Sequence, residues 1–230
     1  MDYVIFNDLD SRLITGLMIC ELPPITKPKM RVQETVIDGV DGSIIEELGY
    51  EAYDKSLKIG LTYNYNVEQI MKYFNGEGNI VFSNEPNRFY KVKIIDQIDY
   101  NKLLRYKTAT VKFRVQPFKY LYKETYQRFL NPINVVALNE GLETSKPIIK
   151  IKGSGTIEFK QEGISIFSYT FPTEETEVTI DSEKQDAYFE NVLKNRNMTG
   201  EFPIFRSGRN NITIVGNVTE LNIIANSRWL

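Results

Sequence analysis

From Ala109 to Gln116 the sequence alternates without a break. Ala109, Val111, Phe113 and Val115 are apolar, and Thr110, Lys112, Arg114 and Gln116 between them are polar. A period of two sends successive side chains to opposite faces of an extended chain. The run therefore reads as a strand with one face in a core and one in water. Leu57–Tyr65 repeats the pattern, with Leu57, Ile59, Leu61 and Tyr63 set against Lys58, Gly60, Thr62 and Asn64. Composition leans the same way. Aromatic residues reach 12%, with 14 Tyr and 13 Phe, which favours strands. Hydrophobic residues make up 42%, enough for a buried core and too many for a disordered chain.

Tyr3–Phe6 and Leu13–Ile19 read as two short strands around a polar turn at Asn7–Asp10. Pro23, Pro24 and Pro28 then break the pattern, because no central strand tolerates them. A long hairpin follows, with arms Arg31–Ile37 and Ser43–Leu48 and a tip of Asp38, Gly39, Val40, Asp41 and Gly42. The two Asp/Gly pairs suit a tight turn, and a hairpin this long can also reach a neighbouring subunit. One short α-helix is predicted after Asn66. Asn66 is a good N-cap, Gln69 holds the reciprocal capping-box position, and Val67, Ile70, Met71 and Phe74 form one apolar face. Gly76 marks its end. Strands resume at Asn79–Phe82, Tyr90–Ile95 and Thr108–Gln116. The charged segment Asp99–Lys107 reads as a hairpin loop, and Pro117 as the end of the last strand.

Between Phe118 and Asn139 the texture changes, with Tyr120, Tyr122, Tyr126, Phe129 and Pro132 among Lys, Arg and Asn. We place a domain boundary there, giving domains 1–125 and 126–230. The second domain reads as Ile148–Lys152, Thr156–Gln161, Ile164–Tyr169, Glu177–Asp181, Asn211–Val215 and Val218–Ala225. Gly153-Ser154-Gly155 and Glu162-Gly163 are the expected turns, and Gly216-Asn217 a two-residue hairpin turn. Met198–Pro203 reads as a looser stretch where Gly and Pro disfavour a ladder. Short strands at this spacing predict an antiparallel sandwich, so the fold class is mainly β.

The chemistry is defined by what is missing. With no histidine, Ser-His and Cys-His nucleophile pairs and HExxH zinc sites are excluded. The single Cys20 allows no internal disulfide and, in its apolar run, reads as a buried inert thiol. Its solitude suits a reducing compartment or a fold that needs no bridges. Glu46/Glu47, Asp96/Asp99, Glu174/Glu175 and Asp181/Glu183 are the carboxylate pairs a glycosidase would need, but adjacent residues on a strand face apart. We read them as surface or turn carboxylates: no catalytic residue, no metal site and no cofactor is assigned. Gly153-Ser154-Gly155 lacks the lysine and the helix of a phosphate loop. Trp229, the one tryptophan, reads as a packing plug rather than a sugar platform. With 28 basic and 30 acidic residues the net charge is −2, and the cations are scattered along the chain, unlike a nucleic-acid binder. No window approaches the ~18 apolar residues that span a bilayer, and the start, with Asp2, Asp8 and Asp10, is unlike a signal peptide.

Several segments together resemble the distal tail protein (Dit) family of long-tailed bacteriophages. They are the Asp38–Gly42 tip before Leu48-Gly49-Tyr50, Phe113–Phe118, Asn139-Glu140-Gly141 leading to Ser145–Ile149, Ile180–Glu183, Gly200–Pro203, Gly208–Ile212 and Arg228-Trp229. The resemblance implies a β-sandwich-like N-terminal domain carrying the helix and the hairpin, and a galectin-like antiparallel C-terminal sandwich. It also implies a non-enzymatic role. Six copies would form a ring between the major tail tube protein and the tail-associated lysin or hub protein. DNA would pass through a central channel without specific binding, and the C-terminal domains could meet receptor-binding or baseplate proteins. It implies a virion protein made in the bacterial cytoplasm, with no membrane partner. The tip residues 38–42 would serve as the subunit contact. A competing expectation is a carbohydrate-binding module for host cell-wall polysaccharide, motivated by the aromatic-rich sandwich.

Overall fold

A computed structural model describes residues 2–39 and 41–230. The chain packs as two compact units, residues 2–122 and 123–229.

The N-terminal unit contains β1 (Val4–Phe6), β2 (Leu9–Asp10), β3 (Leu17–Glu21), β4 (Met30–Val36), β5 (Ser43–Tyr50), β6 (Tyr53–Leu61), α1 (Val67–Tyr73), β7 (Glu77–Phe82), β8 (Arg88–Lys93), α2 (Tyr100–Tyr106) and β9 (Thr108–Leu121). Its main sheet runs β2-β1-β7-β8-β9-β6-β3, antiparallel throughout. One face of this sheet makes the core. Ala109, Val111, Phe113 and Val115 are all buried, as the alternation requires. The Phe113 ring has its edge contacts with Phe6, Phe74 and Phe82 at 6.2–6.3 Å. Helix α1 adds Ile70 and Tyr73 to this core and α2 adds Leu103.

The Asn66 side chain caps α1 by accepting from the Gln69 amide at 3.1 Å. The reciprocal half of the capping box does not form. The Gln69 carboxamide accepts instead from Thr15 N, while Asn66 N donates to Thr15 O, so the pair staples the helix start to the β3 approach.

Two readings of this unit are corrected. The segment taken as a hairpin loop holds helix α2, capped by the Asp99 carboxylate on Lys102 N at 2.8 Å. Its apolar anchors Tyr100 and Leu103 stand three apart, and the charges between them hide the period. Pro117 does not end β9, which runs on to Leu121. The ladder to β8 shifts register across residues 116–118, from Val92↔Val115 to Tyr90↔Lys119, so the missing proline N–H falls in a bulge.

The C-terminal unit contains β10 (Gln127–Leu130), β11 (Asn134–Asn139), β12 (Ile148–Gln161), β13 (Ile164–Thr170), β14 (Glu177–Asp181), β15 (Asp186–Phe189), β16 (Val192–Leu193), β17 (Met198–Gly200) and β18 (Gly208–Ile224). Here too the expected turns are corrected. Gly153-Ser154-Gly155 lies inside β12 and Gly216-Asn217 inside β18. The two long strands bend together, their register shifting at Lys152/Gly153 and Ser154/Glu158. Before the bend β12 pairs with β14 and beyond it with β13. Likewise β18 pairs with β11 in its first half and β10 in its second. Strands that change partners at a bend let one ladder cover both sides of one core. Ile149, Ile151, Ile157, Phe159, Val218, Leu221 and Ile223 all enter that core. The bend needs glycine. A Cβ on Gly153 would lie 2.4 Å from Asn217 O, and Gly216 holds φ +110. The looser stretch also gains a short ladder, β17 on β13.

On the outer face a charge ladder crosses the second half-sheet. Glu220 accepts from Arg128 at 2.7 Å, Lys152 at 3.2 Å and Asn222 at 3.0 Å, and Lys150 pairs with Glu177 at 2.8 Å. Hydrogen bonds from Asn222, Arg128 and Lys152 hold the Glu220 carboxyl down at about 2. A depressed carboxyl stabilises the fold above its unfolded value, near 4.5, and loses that contribution as pH falls toward 2. Thermal melts should therefore show Glu220→Gln melting below the parent at pH 6, with the gap closing between pH 4.5 and 2. Gly153→Ala should lower stability by about 1–3 kcal/mol in urea titrations, because the carbonyl of Asn217 must move.

Candidate assembly interface

Strands β4 and β5 pair only with each other, as a ribbon outside the main sheet. Their register joins Val32↔Glu47, Gln33↔Glu46, Glu34↔Ile45, Thr35↔Ile44 and Val36↔Ser43. Paired residues of an antiparallel ladder share a face. One face thus presents Val32, Glu34, Val36, Ser43, Ile45 and Glu47, and the other Gln33, Thr35, Ile44, Glu46 and Leu48. Both mix apolar and acidic groups. Val36 is 71% exposed, Ile45 61%, Ile44 60%, Val32 50% and Leu48 46%. A two-stranded ribbon alone is marginally stable in water, and apolar exposure on both faces marks a surface that awaits a cover.

At the tip, Gly39 and Gly42 take φ +84 and +91 in the turn that the Asp/Gly pairs require. Asp38, Gly39, Asp41 and Gly42 are all exposed, while Val40 lies outside the described residues.

The ribbon has a fixed root. Glu51 N donates to Lys29 O at 2.8 Å across its base. Tyr50 meets Phe118 edge-on at 6.0 Å, and Lys27 lies over the Tyr50 ring at 5.8 Å. The proline-rich approach is hooked by its carbonyls. Lys55 donates to Pro24 O at 2.6 Å and Asn84 to Pro23 O at 3.0 Å. Lys55 is only 3% exposed, with its ammonium 5.1 Å from the centre of the Tyr90 ring. Beside it Lys119 pairs with Glu85 at 2.6 Å, and Glu85 also accepts from the Tyr90 hydroxyl. Burial pulls the Lys55 ammonium down, with the Glu85 charge opposing, and pushes the Tyr53 phenol up to about 12. This cluster orders the start of the arm.

The other sequence candidates resolve into structural roles. Asp181 caps the turn after β14, accepting from Glu183 N and Lys184 N at 3.0 and 3.1 Å. Asp99 caps α2, Asp96 pairs with Lys112 at 3.5 Å and Glu175 pairs with Lys194. Glu46 and Glu47 point to opposite faces of the ribbon. Among the described residues no group of three or more Cys, Asp or Glu could hold a metal ion, and no helix is long and apolar enough to cross a membrane. Cys20 is exposed rather than buried, because it follows the buried Ile19 along β3 and so points, like Met18, to the other face of the sheet. Trp229 is buried, at 9% exposure, and offers no open face to a sugar ring.

Two of the segments that carry the C-terminal resemblance, 139–141 and 208–212, meet in one buried polar network. Asn139 donates to the carbonyls of Glu143 and Arg206 and accepts from Gly141 N. Asn210 accepts from Gln161 and Arg206 N and donates to the Arg206 and Gly208 carbonyls. Ser227 accepts from Glu140 N and donates to Glu124 at 2.7 Å, and burial pushes the Glu124 carboxyl upward. These residues hold loops in place, a role that their polarity signals and their spacing conceals.

Cations scattered in sequence gather on the solvent face of the N-terminal sheet. Lys58 of β6, Lys91 and Lys93 of β8, and Lys112 and Arg114 of β9 share it. Asp54, Glu77 and Asp96 pair with Arg114, Lys93 and Lys112. The Phe89 and Tyr120 rings stack beside them at 5.3 Å, with Lys91 4.5 Å above Tyr120. Sequence spacing had suggested no such cluster.

No protein-family profile matches the chain, and no curated protein matches it. Solved structures do. The crystal structure of SPP1 Dit, described as a paradigm of the hub adsorption apparatus in phages infecting Gram-positive hosts, superposes with TM-score 0.75 at 13% identity, covering 100% of both chains. A chain of the phage p2 baseplate, in its activated conformation with Sr, covers 97% of each at TM-score 0.55 and 8% identity.

Replacing Val36, Ile44 and Ile45 by Ser should change the stability of the isolated chain by no more than about 0.5 kcal/mol per site, since none is buried there. Phe113→Ala should cost about 3–5 kcal/mol. Urea unfolding of dilute protein gives the contrast. Over its whole length the chain has the fold of the SPP1 Dit hub protein, the family its sequence segments resemble.

Proposed function

We propose that this chain is a non-enzymatic structural component of a phage tail tip. Six copies form a ring between the tail tube protein and a tail-associated hub protein, around a channel that passes DNA. The observation that carries this reading is the full-length likeness to SPP1 Dit. Both units, in order, match a chain described as part of a hub adsorption apparatus, and a second match comes from a phage baseplate. The arm β4–β5 supports it physically. A ring closes through heterologous contacts, in which one patch of each copy meets a different patch of the next. A rooted, projecting ribbon with apolar groups on both faces suits such a contact. In this reading residues 38–42 belong to the subunit contact, and the C-terminal unit is free to meet other baseplate proteins. The carbohydrate-binding alternative gains no support, because Trp229 is buried.

Light scattering on the purified full chain should give six times the 26.7 kDa chain mass at high concentration, with rings in negative stain. A strict monomer, with no rings in assembled tails, would sink the reading. Val36→Asp with Ile45→Asp should leave the circular dichroism spectrum unchanged and remove the rings.

A further inference from the structure

Helix α1 passes the chain to β7 through Phe74, Asn75 and Gly76. Asn75 and Gly76 are both exposed. Among the described residues nothing hydrogen-bonds the Asn75 carboxamide or the Gly76 N–H, although Gly76 O accepts from Ile94 N at 2.9 Å. Gly76 holds φ +81, and a Cβ placed on it would meet nothing within 4 Å. The carboxamide carbon of Asn75 and the amide nitrogen after it are therefore both unengaged, with no side chain on residue 76 to obstruct their approach. Asn226-Ser227 is the other asparagine followed by a glycine or serine, and it is held on both sides. Asn226 Nδ2 donates to Lys146 O at 2.7 Å, and the N–H of the buried Ser227 donates to the Glu124 carboxylate at 3.1 Å.

We infer that Asn75 is a site of spontaneous deamidation, with water as the only co-reactant, and that the fold protects Asn226 from the same reaction. The Gly76 nitrogen, on losing its proton, attacks the carboxamide carbon of Asn75. A C–N bond forms, and the side-chain nitrogen leaves as ammonia with the proton. Water then adds to either carbonyl of the cyclic imide and opens it to aspartate or isoaspartate. Nothing is oxidised or reduced, and base accelerates the first step by removing the Gly76 proton. Both products put a carboxylate where a neutral amide stood. It lies at the C-terminal end of α1, where the helix dipole disfavours negative charge, and three residues beyond Lys72, which offsets part of that cost. Isoaspartate also lengthens the main chain by a methylene between the buried Tyr73 and Phe74 and the Gly76 O–Ile94 N hydrogen bond, so the end of α1 must shift against β7. This chemistry is independent of the ring reading, since it needs only one folded copy.

The purified full chain, stored folded in neutral and in mildly alkaline buffer and sampled over time, provides the test. Proteolysis and mass spectrometry read each asparagine as amide or acid, and fragmentation separates aspartate from isoaspartate. Asn75 should convert to both products, faster in the alkaline buffer, while Asn226 keeps its amide. The same chain in urea should lose the amide at both positions, because the bonds to Lys146 and Glu124 are then gone. Gly76→Ala should slow conversion at least about tenfold, a rise of about 1.4 kcal/mol in the barrier. Asn75→Gln should abolish it, since the longer side chain must close a larger ring, and circular dichroism checks that both variants fold. An Asn75 that stays intact in the folded chain overturns the inference, whether or not urea releases it. Equal conversion of Asn75 and Asn226 in the folded chain overturns it too, because hydrogen bonding would then not decide which site reacts.

Discussion

Every apolar face in this chain must find a cover, and the architecture follows from where each one does. In the N-terminal unit the sheet and both helices enclose a core around Phe113. In the C-terminal unit the concerted bend of β12 and β18 brings two half-sheets onto one core. The ribbon β4–β5 has no third layer of its own. Its valines and isoleucines, Val32, Val36, Ile44 and Ile45 among them, lie uncovered in the chain itself.

The same constraint decides how much was legible in advance. Alternation over Thr108–Gln116 maps directly onto buried and wet faces, and the hairpin arms stand within two residues of their expected ends. Local rules failed where a distant strand decides the outcome. Gly216-Asn217 has the chemistry of a hairpin turn, yet the neighbouring β12 bends in concert, so both strands run through. Pro117 is a genuine ladder-breaker, and a bulge absorbs it. Helix α2 escaped notice because Asn101, Lys102 and Arg105 surround its few apolar anchors. The arm was visible as a long hairpin with a conspicuous tip. The cluster of ion-paired charges on the solvent face of the N-terminal sheet was invisible, since its members come from strands far apart in sequence.

Electrostatics and packing divide the work differently in the two units. In the C-terminal unit charges pair internally on the ladder through Glu220, and neutral amides satisfy the buried network around Asn139 and Asn210. In the N-terminal unit the arm carries an acidic excess, while cations of the sheet pair with Asp54, Glu77, Asp96 and Glu85 beside them.

The hooks on Pro23 and Pro24 bear on timing as well as position. Proline fixes its own φ, and the bonds from Lys55 and Asn84 fix the carbonyls, so the arm leaves the body along a path already chosen. A flexible tail would lose conformational freedom on meeting its neighbour, and that loss would weaken association. In the ring reading an arm anchored beforehand would lose far less, and its encounters would proceed as rigid docking, at rates governed by orientation and charge rather than by folding on contact.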